Sequence, residues 1–162
     1  MRRILHFYKI YKRLSKVAFL WGGLVSLSGL VLLIFFRTNP LLQGISFPLI
    51  LLGSIQMGGS FRDYFSADGR VRFIRRINFP NYKDLNISEK NYANEVLTGA
   101  QKSRKAKLSL VFFGVSLSLL SVFSSWSLFS LGMGLGISFQ SAPMLVFNLL
   151  KEYQLSAFRQ TS

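Results

Sequence analysis

Long apolar runs without any charge dominate the pattern of hydrophobic and polar positions along this chain. Residues 17–36 and 108–129 contain no Asp, Glu, Lys or Arg, and each run is long enough to cross a bilayer as a helix. Residues 41–59 and 132–150 are also free of charge, although Gly, Pro, Ser and Gln interrupt their hydrophobicity. Because one crossing needs about 20 residues, the pattern predicts four transmembrane helices.

Very short connections join these runs in pairs. Only Arg37-Thr38-Asn39-Pro40 separates the first two runs, and only Ser130 and Leu131 separate the last two. Turns of this length place consecutive helices side by side and antiparallel. The sequence therefore predicts two transmembrane hairpins, at residues 17–59 and 108–150.

The N-terminal segment has a basic face and an apolar face when its residues are placed at 100° intervals. A basic face opposite an apolar face is typical of a helix that lies along a membrane surface. The alternative is a simple extension of the first span, whose charges only fix its orientation. The faces comprise Arg2, Lys9, Lys12, Arg13 and Lys16 on one side and Ile4, Phe7, Tyr11, Leu14 and Ala18 on the other.

The predicted fold class is accordingly all-α. It is a membrane bundle of four transmembrane helices in two hairpins, with an N-terminal interfacial amphipathic helix. The chain divides into a basic helix at 1–16, hairpin 1 at 17–59, a basic segment at 60–107, hairpin 2 at 108–150 and a tail at 151–162. Within the basic segment, Asn86-Ile87-Ser88-Glu89 has capping-box spacing and predicts the start of a helix after the break at Asn78-Phe79-Pro80-Asn81.

Basic residues sort almost entirely to one side of the predicted spans. Of the 20 Lys and Arg, six lie in the N-terminal tail, eleven in residues 60–107 and two after residue 150, which leaves Arg37 alone on the other side. Lys and Arg flanking spans are retained in the cytoplasm. The sorting predicts an integral membrane protein with both termini and the basic segment cytoplasmic.

The net charge of +14 predicts contact with anionic lipid headgroups. Nucleic acid is not expected as a partner, because no zinc ligands, RNA-binding aromatic motif or separate basic domain accompanies the charge. A solvated surface is the alternative role for the arginines of residues 61–82, and a stop at the interface for the cluster at 102–107. The candidate lipid-contact residues are Arg2, Lys9, Lys12, Arg13, Lys16, Arg72, Arg75, Arg76, Lys102, Arg104, Lys105 and Lys107.

Composition argues against most catalytic classes. There is no Cys and only one His, which excludes disulfides, thiolate metal sites and polyhistidine sites. No span contains an ionisable residue, which weakens proton-coupled transport. The acids Asp63, Asp68, Asp84, Glu89 and Glu95 are scattered without metal-ligand spacing. The sequence therefore predicts no enzyme, no metal and no cofactor.

Small and polar residues inside the spans predict how the helices pack. Small residues four apart allow close helix contact, and they occur at Gly22 and Ser26, Gly114 and Ser118, and Gly132 and Gly136. Pro48 and Pro143 predict kinks in the second and fourth spans. The run Gly-Ile-Ser-Phe occurs at both 44–47 and 136–139, which indicates either a duplicated hairpin or chance similarity in an apolar alphabet.

The alternatives for function depend on the role of four amide side chains within the predicted spans: Gln43, Gln56, Gln140 and Asn148. They line the pathway if the protein is an oligomeric channel or uniporter. Isolated polar residues in spans more often hydrogen-bond a neighbouring helix. The leading prediction is therefore a non-enzymatic protein that binds a membrane partner or a second copy of itself, for example an immunity protein against a membrane-inserting toxin.

Three stretches resemble small four-span proteins of bacterial inner membranes, a group with no established activity. They are Pro40-Leu41-Leu42-Gln43-Gly44, the run of residues 47–56, and residues 135–140 with Met144-Leu145, together 23 of the 162 residues. Members share two hairpins and a charged middle segment. The resemblance implies the architecture and the inner membrane, and no activity.

Overall fold

Four long helices make up the protein. The computed structural model describes residues 2–76, 82–124 and 127–160, and side chains within residues 4–76, 87–124 and 127–158. All four helices are long and apolar enough to cross a membrane, so the predicted all-α four-helix bundle is confirmed and the chain is an integral membrane protein. The helices are α1 (Arg2–Phe35), α2 (Pro40–Arg76), α3 (Tyr82–Phe123) and α4 (Leu128–Gln160).

Each helix is longer than a bilayer crossing requires. The four helices contain 34, 37, 42 and 33 residues, which corresponds to about 50 to 60 Å at 1.5 Å per residue. The hydrocarbon core of a bilayer is about 30 Å thick. We therefore divide the bundle into an apolar half (residues 17–59 and 108–150) and a basic half (residues 2–16, 60–76, 82–107 and 151–160).

The second and fourth helices form the centre of the bundle. α1 packs against α2, α3 packs against α4, and α2 packs against α4. In the apolar windows of α2 and α4, 39% of the residues are buried, against 22% in α1 and 11% in α3. Because α2 and α4 both follow a hairpin turn at the same end of the bundle, these two central helices run parallel.

The N-terminal segment is an extension of the first span and not a separate helix on the membrane surface. α1 is continuous from Arg2 to Phe35. Its apolar residues pack against the other three helices, and Phe7 stacks on Phe158 with ring centroids 4.5 Å apart. Protein covers the face that was predicted to contact lipid. An amphipathic pattern predicts that the apolar face of a helix is covered, but it does not distinguish lipid from protein as the covering surface.

The basic segment continues the helices in the same way. α2 runs on to Arg76, and α3 already begins at Tyr82. The predicted helix start at Asn86 to Glu89 is therefore wrong, because those residues lie inside α3. Glu89 is 1% exposed and accepts a hydrogen bond from Tyr8 in α1. The predicted break at 78–81 lies outside the described residues.

Candidate functional site

Glycines bring the helices of each hairpin into backbone contact. A Cβ atom on Gly22 in α1 would lie 2.8 Å from the carbonyl oxygen of Gly53 in α2. Ser26 extends this contact, with its Oγ 3.1 Å from Ser54 Oγ. In the second hairpin, a Cβ on Gly114 would lie 2.9 Å from the carbonyl oxygen of Gly134. Such contacts exclude any larger side chain at these positions.

The central pair α2 and α4 uses glycine as well. Cβ atoms on Gly44 and Gly132 would collide with the backbone of the opposite helix. A Cβ on Gly136 would lie 2.7 Å from the carbonyl oxygen of Ile45. All six predicted packing residues thus lie at or beside helix contacts, Ser118 against Gly134. Gly29, Gly53 and Gly134 also lie at helix contacts and were not predicted. Gly29 and Gly53 have no small residue four positions away, whereas Gly134 has Ser130 and Ser138 at that spacing.

The repeated Gly-Ile-Ser-Phe runs do not lie at the same level of the bundle. Gly44 is opposite Gly132, whereas Gly136 is one helical turn further along α4 and contacts Ile45. The hairpin turns also fall four residues out of step with the sequence repeat, since α2 begins at Pro40 and α4 at Leu128. The sequence echo therefore does not place its copies in equivalent packing positions.

The four predicted intramembrane amides separate into three environments. Gln43 donates a hydrogen bond to the carbonyl oxygen of Arg37 at the hairpin turn. Gln56 donates to the carbonyl oxygen of Ala18 at 3.2 Å and accepts from Gln140 Nε2 at 2.7 Å. Asn148 lies deeper toward the basic half. The amides therefore do not form one continuous polar lining, and Gln56 and Gln140 join α1, α2 and α4.

Both predicted kink residues lie inside helices that continue past them. Pro48 is buried within α2, and Pro143 is half-buried within α4. The side chain of Ser46, two residues before Pro48, donates to the carbonyl oxygen of Gln43 at 2.7 Å. The kinks themselves stay a prediction.

Ion pairs join different helices in the basic half. Lys12 of α1 lies 2.5 Å from Asp68 of α2, and Lys151 of α4 lies 2.6 Å from Asp63 of α2. Arg70 of α2 contacts Glu89 of α3 at 3.4 Å. These acids are far apart in the sequence, and in the structure each of them pairs with a basic residue on a different helix. Asp84 lies outside the described side chains.

A fourth contact surrounds Asn148 at the boundary of the two halves. Asn148 Nδ2 donates to the carbonyl oxygen of Ala100 at 2.9 Å and to Glu152 at 2.8 Å. Its Oδ1 accepts from Lys107 Nζ at 2.8 Å, and Arg104 lies 3.0 Å from Glu152. The amide thus fixes α3 against α4. The sequence analysis did not single out Glu152, which is 7% exposed.

These contacts sort the predicted lipid-contact residues into two groups. Lys12, Arg104 and Lys107 are half-buried and make hydrogen bonds inside the bundle. The side chain of Arg2 lies outside the described residues. The others are exposed, and for them lipid contact stays a prediction: Lys9, Arg13, Lys16, Arg72, Arg75, Arg76, Lys102 and Lys105.

The electrostatics of the basic half follow from this burial and pairing. Burial raises the pKa of Tyr8, and its hydrogen bond to Glu89 raises it further. The hydrogen bond between Lys12 and Asp68 raises the pKa of the lysine and lowers the pKa of the carboxyl. Each shift favours the protonation state that the packed structure contains.

A cavity of 550 Å³ lies where the apolar half meets the basic half. All four helices contribute to its wall. Ile55, Met144 and Phe147 form its apolar part, while Asp63, Lys107, Asn148 and Lys151 are among its polar residues. It is the site that best combines space, charge and apolar surface, and it lies within the range of about 300 to 1,000 Å³ typical of small-molecule sites.

Metal ligands do not gather at this cavity or elsewhere in the described ranges, where no three His, Asp or Glu side chains are grouped to hold an ion. Comparison with protein-family models, with curated proteins and with solved structures finds no match to this chain.

Proposed function

We propose that this protein is a non-catalytic membrane protein that acts by binding another membrane protein or a second copy of itself. The supporting observation is the incomplete packing of α3. Only 11% of the residues in its apolar window are buried, because it packs against α4 and leaves its other sides uncovered. Its outward face includes Phe112 (65% exposed), Leu119 (53%) and Phe123 (82%).

A serine in the middle of this face supports a protein partner. Ser109, Ser118 and Ser121 of α3 each donate to the carbonyl oxygen four residues before them. The exposed Ser116 has no such bond within the described part of the chain. Hydroxyls on lipid-exposed helices commonly hydrogen-bond across to another helix, so Ser116 marks the centre of the proposed contact.

Photo-crosslinking in the native membrane tests this proposal. A photoreactive side chain at Phe112 or Leu119 of α3 should give a protein adduct of one defined mass. The matched control is Leu27 of α1, which is 63% exposed and should crosslink to lipid alone. Equal protein adducts from α1 and α3, or none from either, would contradict a contact on α3. An adduct at twice the chain mass identifies the second copy as the partner.

The channel alternative finds less support in the geometry. Gln56 and Gln140 bind each other, and the buried Leu52, Ile137 and Met144 pack beside them in the same half. A pathway would have to form between copies of the chain. Liposomes that carry the protein alone should stay tight to ions. Selective flux that Gln140→Leu changes would favour the channel instead.

The orientation and the setting belong to the same proposal. With 19 of 20 basic residues on one side of the spans, both termini and the basic half face the cytoplasm of a bacterial inner membrane. Reporter fusions after Thr38 and Leu131 should report the outside, and fusions after Asp84 and Ser162 the cytoplasm. An outside signal at Asp84 would overturn this orientation.

An immunity protein is one concrete form of such a binder. That role needs a small membrane-resident chain and no chemistry. Protection of cells from a membrane-inserting toxin that is encoded beside this chain is the expected phenotype. Loss of protection in the Ser116→Leu variant would show that protection depends on the face of α3, whereas full protection in this variant would show that it does not.

A further inference from the structure

The cavity at the boundary of the two halves has the chemistry of a site for an anionic amphiphile. Its floor is apolar, with Ile55 from α2 and Met144 and Phe147 from α4. The cavity is also lined by Lys107 and Lys151. Two further lining residues, Arg62 and Glu95, are exposed and carry opposite charges. A cavity that combines apolar side chains with two ammonium groups suits a ligand with an apolar part and a negative head.

Lys107 is the residue that points to a negative head. Its Nζ donates to the neutral amide oxygen of Asn148 at 2.8 Å, and it makes no ion pair within the described ranges. The neighbouring carboxylates are already engaged, Asp63 by Lys151 at 2.6 Å and Glu152 by Arg104 at 3.0 Å. Asp63 and Glu152 are near Lys107, but each is hydrogen-bonded by another cation, so the Lys107 ammonium keeps donors for an anion.

Lys151 offers the same head a second contact. Its ammonium has three N–H donors, and one of them is directed to Asp63. Its side chain is 12% exposed, so its position is fixed by packing. Two ammonium groups on neighbouring helices, α3 and α4, therefore face one cavity.

We propose that the cavity binds the phosphate group of an anionic phospholipid, with Lys107 and Lys151 as its ligands. The first part of the acyl chains lies on Ile55, Met144 and Phe147. The chains leave between α2 and α3 in the apolar half, because the hydrogen bonds and ion pairs that join these two helices over their described residues lie in the basic half, at Ser66 and Arg70. The position at the boundary of the apolar half places the phosphate at headgroup level. Free phosphate shares the head chemistry but leaves the apolar floor unused.

Titration with a lipid tests the charge. The full-length protein in a non-ionic detergent is titrated with short-chain phosphatidylglycerol, and the lipid-bound fraction is read by native mass spectrometry. Lys107→Gln should weaken binding about tenfold, as expected for the loss of one charge-assisted hydrogen bond. Lys105→Gln is the matched control, because Lys105 is exposed on the same helix and does not line the cavity. The Lys105→Gln variant should bind the lipid as the wild type does. The Lys107→Arg variant, which keeps the positive charge, should also keep the binding.

Two glycines allow the cavity to be filled without disturbing the bundle. Gly59 lines the cavity, while Gly58 does not, and a Cβ on either would meet nothing within 4 Å. Gly59→Leu should therefore abolish lipid binding, and Gly58→Leu should leave it unchanged. Both variants should keep the helical content and the thermal midpoint of the wild type, which separates loss of the site from loss of the fold.

Three results would overturn the proposal. The first is equal weakening by Lys105→Gln and Lys107→Gln, which indicates binding to the basic surface. The second is undiminished binding in Gly59→Leu, which places the lipid elsewhere. The third concerns the source of the phosphate. Displacement of the lipid by inorganic phosphate at equal concentration, or equal binding of phosphatidylcholine, would remove the assignment to an anionic phospholipid.

Discussion

The two halves of the bundle are built from the same four helices but bury different kinds of side chain. In the apolar half many buried positions are small or polar, such as Gly22, Ser46 and Gln140, and only a few large residues such as Leu52 are buried, while most large side chains, such as Phe112, face outward. In the basic half large side chains such as Ile74 and Phe158 are buried. The surroundings cause the difference. Moving a leucine side chain from lipid into the protein interior gains no hydrophobic free energy, whereas moving it there from water does.

The first way to break this comparison is to enlarge a glycine in the apolar half. Gly44→Leu should destabilise the bundle most, by about 3 kcal/mol or more, because the side chain would collide with the backbone of α4. Gly58→Leu on the same helix meets nothing within 4 Å and is the control. The free energy of unfolding in mixed detergent measures both. Similar values for the two variants would show that α2 and α4 are not in close contact.

The second test exchanges one residue type in the two halves of α2. Ile74→Ala removes a side chain that is 0% exposed in the basic half, and it should cost about 2 to 5 kcal/mol. Ile55→Ala removes one that is 55% exposed in the apolar half, and it should change stability by roughly 0.5 kcal/mol or less. The same unfolding measurement applies. A larger loss for Ile55→Ala would reverse the assignment of the two halves.

A third test concerns the boundary. Glu152→Gln keeps the shape of a 7% exposed side chain but removes the charge that Arg104 and Asn148 contact. The loss should be about 1 to 3 kcal/mol, the range for a buried hydrogen bond to a charged group. Glu95→Gln, at an exposed side chain on α3, should be neutral. If both variants unfold alike, the carboxylate of Glu152 does not stabilise the α3–α4 contact.

The smallest expected effect is a pH dependence that belongs to the basic half alone. The pKa of Asp68 is lowered in the folded protein by Lys12. Its contribution to stability is therefore present above the unfolded pKa near 3.8 and is lost as the pH falls through the lower folded value. The pKa of Lys12 is raised in the folded protein. Its contribution to stability is therefore present below the unfolded pKa of 10.5 and is lost as the pH rises through the higher folded value. Thermal midpoints of the wild type and Asp68→Asn, measured against pH, should converge at the acid end. Parallel curves would rule out this pair as the source.

The sequence predicted the apolar half well and the basic half poorly. Charge-free runs are local signals, and they were sufficient for four spans and two hairpins. The predicted turn at Ser130 and Leu131 is wrong, because α3 already ends at Phe123 and both residues lie inside α4, which begins at Leu128. The partners of Phe7 and Glu89 are 151 and 81 residues away, and no local pattern reports which surface covers a face. Asp63 looked isolated for the same reason, because its partner Lys151 is on another helix.

The site was predicted in part. The spacing of small residues four positions apart identified Gly22, Gly114 and Gly132, because this spacing can be recognised within the sequence of a single helix. Gly53 and Gly134 complete the contacts from the opposite helices. Gly53 has no small residue four positions away, whereas Gly134 has Ser130 and Ser138 at that spacing and was overlooked. The amides were expected to line one path, but Gln43 turns to a carbonyl at the hairpin turn. The cavity is lined by residues of all four helices, so it is a property of the assembled bundle.

The uninterrupted course of α2 has a mechanical consequence. The helix runs from Pro40 through the cavity wall to Arg76 without a loop. Ile55 and Gly59 belong to the same continuous helix as Arg72 and Arg76. We therefore expect an occupant that displaces the cavity wall to shift these arginines as well and so to change the spacing of positive charge at the far tip of the bundle.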